Sequence, residues 1–285
     1  MPVRIITDSG SDCYSSDHPQ LTVLPLSITF GDKTYRADVD LSRERFYEML
    51  VERDDFPTTG QVNPYAFTQA IDAAQAAGED VVVVTLSSKL SGTNQSALTA
   101  AAQASGSTRV RVVDSKSVTV GEHVLVDYAL RLADAGKGVD EIADALEAVV
   151  DRICVVGLLD TLEYLKRGGR IPAAVGVVGE LLSIKPVVTV KDGLVEMLGK
   201  ARGSKNGRNL LNQAVEAGGG IDFSMPVQLG YSGLSDALLR KYIEDSRALW
   251  KDYPGDELPV LRVGSTIGTH VGPGAVAVAF FRKGK

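Results

Sequence analysis

The chain has 285 residues, 44% of them hydrophobic, which is enough to bury one large core or two smaller ones; the length favours two domains. A formal net charge of -6 excludes a broad nucleic-acid-binding face, which needs Lys and Arg clustered opposite phosphates. Cys13 and Cys154 stand too far apart for a disulfide framework or metal-ligand spacing and fit a reducing, cytoplasmic setting. Met1-Pro2-Val3-Arg4 leads into a strand rather than a signal-peptide core, and Val271 to Phe281 is broken by Gly and Pro and too short to span a bilayer. Neither secretion nor membrane insertion is therefore expected.

Val3 to Thr7 reads as the first strand. Leu26 to Phe30 and Lys33 to Arg36 flank Gly31-Asp32 as a β-hairpin, and Ser42 caps a helix carrying Phe46, Met49 and Leu50. Asn63-Pro64 supplies an N-cap and an N1 proline for a helix with Phe67, Ala70, Ile71 and Ala74 at helical spacing, ending by Gly78. Val81 to Thr85 is continuously apolar, the pattern of a strand buried on both faces of a parallel sheet. After Ser91 an alanine-rich helix runs to about Ala104. Val110 to Val113, where Arg109 and Arg111 alternate with valine, is a less buried strand, and helices follow over about 120–135 and 139–150.

From Ile153 the pattern changes. A strand to Leu158, a short helix with Leu162 and Leu165, and the basic loop Lys166-Arg167-Gly168-Gly169-Arg170 lead to a hairpin, Lys185 to Val190 and Leu194 to Gly199, turned by Asp192-Gly193. Val227 to Tyr231, a helix from Ser235 to Trp250, Val260 to Val263 and Ala275 to Phe281 complete the chain. The expected fold is α/β in two domains: residues 1–152 with a mainly parallel sheet flanked by helices, and residues 153–285 as an α+β domain with a mixed sheet.

Three hydroxyl-rich segments stand out: Pro57-Thr58-Thr59-Gly60-Gln61, Ser87-Ser88-Lys89-Leu90-Ser91-Gly92-Thr93 and Gly268-Thr269-His270-Val271-Gly272-Pro273-Gly274. The first two read as turns, two of the three end where a helix begins, and backbone N–H groups and hydroxyls at a helix start seat an anionic head group. Neither a P-loop nor a Rossmann phosphate turn occurs. The nearest approach to a nucleophile elbow is Gly233 to Ala237, where Ser235 reads as a helix cap. His18, His123 and His270 form no metal-binding spacing, so neither a catalytic metal nor a cofactor is expected. Asp8-Ser9-Gly10-Ser11-Asp12 fits either a pair of carboxylates after a strand, as in some phosphoryl-transfer sites, or an Asx turn, and the turn is favoured.

The order Thr7-Asp8-Ser9, Leu24-Pro25-Leu26, Thr59-Gly60-Gln61, Leu90-Ser91-Gly92-Thr93, Val113-Asp114-Ser115, Tyr164 to Ile171, Ile184-Lys185-Pro186 and His270 to Gly274 closely resembles the DegV family over essentially the whole chain. The resemblance implies a bacterial lipid-binding protein, not an enzyme, whose two domains enclose one long-chain fatty acid. It also implies a partner, a fatty acid kinase resembling dihydroxyacetone kinases, that phosphorylates the exposed carboxylate. By position it assigns Thr59, Ser91, Gly92 and His270 to the carboxylate, places Thr93, Asn94 and Arg170 near the head group, and offers Lys166, Arg167 and Arg202 for docking the kinase. Gly60, Val62 and Asn94 depart from the serine, proline and tyrosine common in the family, which alters the loop shape and the cover over the head group. The residues alone also allow a serine hydrolase of a lipid or acyl ester with Ser91 as nucleophile and His270 as base. That reading requires a group orienting His270 and an oxyanion hole, neither of which the sequence displays.

Overall fold

The computed structural model describes residues 1–105, 108–171 and 184–284. The first half contains β1 (Val3–Asp8), β2 (Leu21–Leu24), β3 (Ser27–Phe30), β4 (Lys33–Arg36), α1 (Arg43–Glu52), β5 (Thr58–Gly60), α2 (Pro64–Ala76), β6 (Asp80–Thr85), α3 (Thr93–Gln103), β7 (Val110–Asp114), α4 (Val120–Asp134) and α5 (Val139–Val149). The second contains β8 (Ile153–Leu158), α6 (Glu163–Arg167), β9 (Ile184–Lys191), β10 (Leu194–Arg202), α7 (Gly203–Ala217), β11 (Val227–Tyr231), α8 (Ala237–Asp245), β12 (Val260–Arg262), α9 (Ser265–Val271) and β13 (Val276–Phe281).

Strands β2-β1-β6-β7 form a wholly parallel sheet. The all-valine centre of β6 is buried on both faces, as its unbroken apolar run requires. β7 is an edge strand, and its Arg111 reaches outward to Asp140, Asp144 and Glu147 of α5. The second sheet, β10-β9-β8-β13-β11-β12, is antiparallel except where β12 joins β11. In its β9–β10 turn, Asp192 and Gly193 take φ of +49° and +81°, the left-handed pair that a two-residue hairpin demands. A core running through Val3, Leu125 and Ile142 also takes in Val155, Ala279 and Phe281, so α4 packs on both sheets.

Five elements differ from expectation, the longest being α7 (Gly203–Ala217), a helix absent from the elements expected of the sequence. Leu21–Leu24 pairs in parallel with β1 after only twelve intervening residues, without a crossover helix, and its four residues are too few to show a period. The segment around Thr59 is not a turn: Thr58–Gly60 adds a third strand to the β3–β4 hairpin, with Thr59 opposite Ile28. His270 lies in the last turn of α9, a helix whose Gly268 and two threonines give it little intrinsic propensity and which is held by packing on Phe46 and Tyr47. Helix α8 is shorter than the predicted 235–250 span. Ser235 accepts from Ala237 N, but Asp236 is the residue that precedes the helix, and beyond it Ser246 donates to the Tyr242 carbonyl.

Arg43 ties these pieces together. Only 5% exposed, it donates to Asp38, to the Asp12 carbonyl after β1 and to the Arg262 carbonyl at the end of β12. Removing one partner of a buried, hydrogen-bonded charge network leaves the others uncompensated, so Arg43→Met is expected to destabilise the protein by about 3 to 5 kcal/mol in urea unfolding. Arg45→Met, at an exposed ion pair on the same helix, should leave the unfolding midpoint where it was.

Candidate functional site

In the parallel sheet the chain leaves β1 toward β2 on one side and β6 on the other, and ligands of open α/β sheets bind beyond the carboxyl ends of strands at such a switch point. The loop after β6 stands at that point. Leu86 N donates to Asp8 Oδ2 (2.9 Å), Ser87 N to the Ser117 carbonyl (2.8 Å), and Ser87 Oγ to the Gly193 carbonyl of the β9–β10 turn (2.7 Å). These bonds hold the loop between the two sheets.

A cavity of about 390 Å³ opens there. Thr59, Gly60 and Gln61 form one side, Leu90, Ser91 and Gly92 another, and Thr266, Ile267 and His270 of α9 a third, with Arg170 at its border. Five residues from four distant stretches, Thr59, Ser91, Gly92, Arg170 and His270, are thus brought together. Thr59 Oγ1 lies 3.0 Å from His270 Nε2. Ser91 Oγ accepts from Thr93 N at 3.2 Å and lies 3.0 Å from Thr93 Oγ1, so it organises the start of α3 while facing the cavity. Arg170 donates to the carbonyls of Leu90 and Gly168, joining the basic loop to the Ser91 loop. Gln61 and Thr266 line the cavity too; the first lay inside a motif already noted, whereas nothing in the sequence marked the second. The Gln61 side-chain amide lies directly over Gly92, within 2.0 Å of where a Cβ would stand, so a larger residue there would have to push that side chain aside.

Other assigned residues lie elsewhere. Thr93 is buried and accepts from Val62 N, and Asn94 turns inward to donate to Thr85 Oγ1 at 2.9 Å; neither lines the cavity. Lys166 and Arg167 are exposed at the end of α6, whose Leu165 does line it. Arg202 ends β10, roughly 20 Å along the strand from the cavity-lining Val195, and does not line the cavity. Ser91 and His270 make no hydrogen bond to each other, and His270 Nδ1 is buried with no partner among the described residues. A serine nucleophile with an oriented base is therefore not assembled.

A second, narrower space of about 60 Å³ shares Val118, Leu165, Val195, Ile267 and Val271 with the first and continues between the sheets along β8, β9 and β13. Its lining is aliphatic apart from two threonines whose hydroxyls are already committed, Thr119 to Asp12 and Thr189 to the Val155 carbonyl. These walls come from strand faces that any apolar core would also present, which is why the sequence did not distinguish them.

Buried acids support the loops from below. Asp8 accepts from Gly10 N in an Asx turn, and burial raises its carboxyl to about 7. Among the described residues no group of three or more His, Cys, Asp or Glu is arranged to hold a metal, and no helix is long and apolar enough to cross a membrane.

The model of a family described as an uncharacterised protein family, DegV, matches residues 2–283. A DegV domain-containing protein of Caldanaerobacter subterraneus subsp. tengcongensis is 32% identical over 288 residues, covering 99% of each chain. The fold is similar to that of a DegV family protein from Thermus thermophilus described by its fatty acid binding, at 30% identity and a TM-score of 0.87 over 99% of this chain and 100% of that one. It is similar also to a stearic acid-binding protein from Eubacterium ventriosum, at 25% identity and a TM-score of 0.87 over 99% and 98% of the two chains.

Burial, and secondarily the Arg170 guanidinium, lowers His270 to about 4, so the ring is neutral at pH 7. An unfolded histidine titrates near 6.5 and takes up its proton first as pH falls, so this residue costs stability between those values and nothing above them. Going from about pH 7 to about pH 5, the wild type should lose about 2 kcal/mol relative to His270→Gln, as read by paired urea titrations. A pH-independent difference between the two proteins would contradict the neutral, buried assignment.

Proposed function

Because the chain belongs to the DegV family, we propose that it binds one long-chain fatty acid between residues 1–152 and 153–285 and presents the carboxylate to a separate kinase. That kinase, resembling dihydroxyacetone kinases, would form the acyl phosphate. The observation that carries this reading is the junction of two unlike cavities: a polar chamber with Thr59, Ser91 and His270 on its walls, continuing into an aliphatic channel with no uncommitted polar side chain. The described fatty acid and stearic acid binding of the similar Thermus and Eubacterium proteins supports it.

The energetics divide the work. Each buried methylene contributes about 0.8 kcal/mol, so a tail of roughly fifteen offers on the order of 12 kcal/mol gross, against about 1.5 to 3 for a charge-assisted hydrogen bond. Association and chain ordering offset much of that sum, so the tail sets affinity and the hydroxyls set orientation. In this reading Thr59 and Ser91 donate to the carboxylate, and neutral His270 passes a hydrogen bond through Thr59 without adding a charge. Lys166 and Arg167, exposed beside the chamber, offer the kinase a basic edge, with Arg167 stacked 4.1 Å over Phe56.

Protein purified without added lipid is expected to release close to one fatty acid per chain on denaturation, identified by mass spectrometry. The double variant Thr59→Ala, Ser91→Ala should keep its fold and lose roughly tenfold or more in acid affinity. Absence of both co-purified and added acid would overturn the binding reading. For presentation, Lys166→Glu with Arg167→Glu should slow kinase-dependent acyl-phosphate formation at unchanged acid affinity, and an unaffected rate would remove that edge from the proposal.

A further inference from the structure

The aliphatic channel has a second neighbour. A cavity of about 220 Å³ shares Thr189 and Val190 of β9 with it and no residue with the Ser91 chamber, so the channel lies between the two. This third space is polar. Lys116, Lys191 and Arg282 line it against two carboxylates, Asp151 and Asp192. Lys116 is paired with Asp151 (2.7 Å), and Arg282 reaches only the Asp151 backbone carbonyl (2.8 Å). Neither Arg282 nor Lys191 has a carboxylate partner among the described residues. Ser117 also lines it; the residue is 3% exposed, and its hydroxyl is buried with no hydrogen-bond partner among the described residues.

A methyl terminus makes no use of surplus cations, whereas a carboxylate does. We propose that the acyl channel has a second, cationic mouth past Thr189 and Val190, and that the protein accepts long-chain α,ω-dicarboxylic acids. One carboxylate would lie at Thr59 and Ser91 and the other beside Lys191 and Arg282. This rests on the fatty-acid reading above and extends it to the far end of the ligand. A carboxylate halted inside the aliphatic channel would cost several kcal/mol, so a closed channel rejects every diacid while still taking monoacids.

The test is a set of affinities for the purified protein: dioic acids from dodecanedioic to eicosanedioic, each beside its monoacid of equal length. At one chain length or more the diacid is expected within about tenfold of the monoacid, and Lys191→Glu, an exposed position, should weaken that diacid by about tenfold with the monoacid unchanged. Diacids weaker by more than tenfold at every length would overturn the second mouth, as would a Lys191→Glu effect that is absent or equal for both ligands. Failure of the monoacids as well would instead sink the fatty-acid reading on which it rests.

Discussion

Asp12, at the end of the first strand's loop, accepts from Gly264 N through one carboxyl oxygen (2.8 Å) and from Thr119 Oγ1 through the other (2.6 Å), while its backbone carbonyl receives Arg43. The residue is buried, and burial raises its carboxyl to about 6 despite these donors and the nearby guanidinium. A group so costly to bury holds its place only when its oxygens are satisfied, and satisfying them brings the starts of α4 and α9 and the body of α1 to one point. Ser9 adds a contact to Thr266 (3.2 Å) on the same helix. The position of α9, and hence of His270 opposite Ser91, follows from this seam.

Two environments meet above it. The channel walls are apolar because β8, β9 and β13 turn aliphatic side chains toward the parallel-sheet loops, and their threonines spend their hydroxyls elsewhere. The chamber is polar because hydroxyls arrive from an added strand and from the starts of α3 and α9, and an imidazole from the end of α9. Its histidine carries no charge, and its arginine is occupied with the Leu90 and Gly168 carbonyls. Such a chamber orients a head group through dipoles and leaves affinity to the apolar length behind it. The cations at the opposite end of the channel have no counterpart within it.

Local patterns in the sequence determined the buried valines of β6, the caps Ser42 and Asn63, the hairpin turn at Asp192-Gly193, and most of the succession of helices and strands that makes this an α/β chain, although they left α7 unassigned. The motif order, through its family resemblance, put Thr59, Ser91, Gly92, Arg170 and His270 on a roster that also held Thr93, Asn94, Lys166, Arg167 and Arg202; taken singly, each hydroxyl, glycine or histidine has an ordinary structural use. Only the tertiary structure decided that Thr59 sits in a strand, that α9 forms despite poor propensity, that Asn94 faces Thr85 instead of the cavity, and which valines line a channel rather than fill a core. These outcomes depend on partners outside the segment itself, from Thr85 for Asn94 and Ile28 for Thr59 to Phe46 and Tyr47 for α9. A three-residue strand or a weak helix is stable only once the surface it packs on exists, so no local pattern can carry the information.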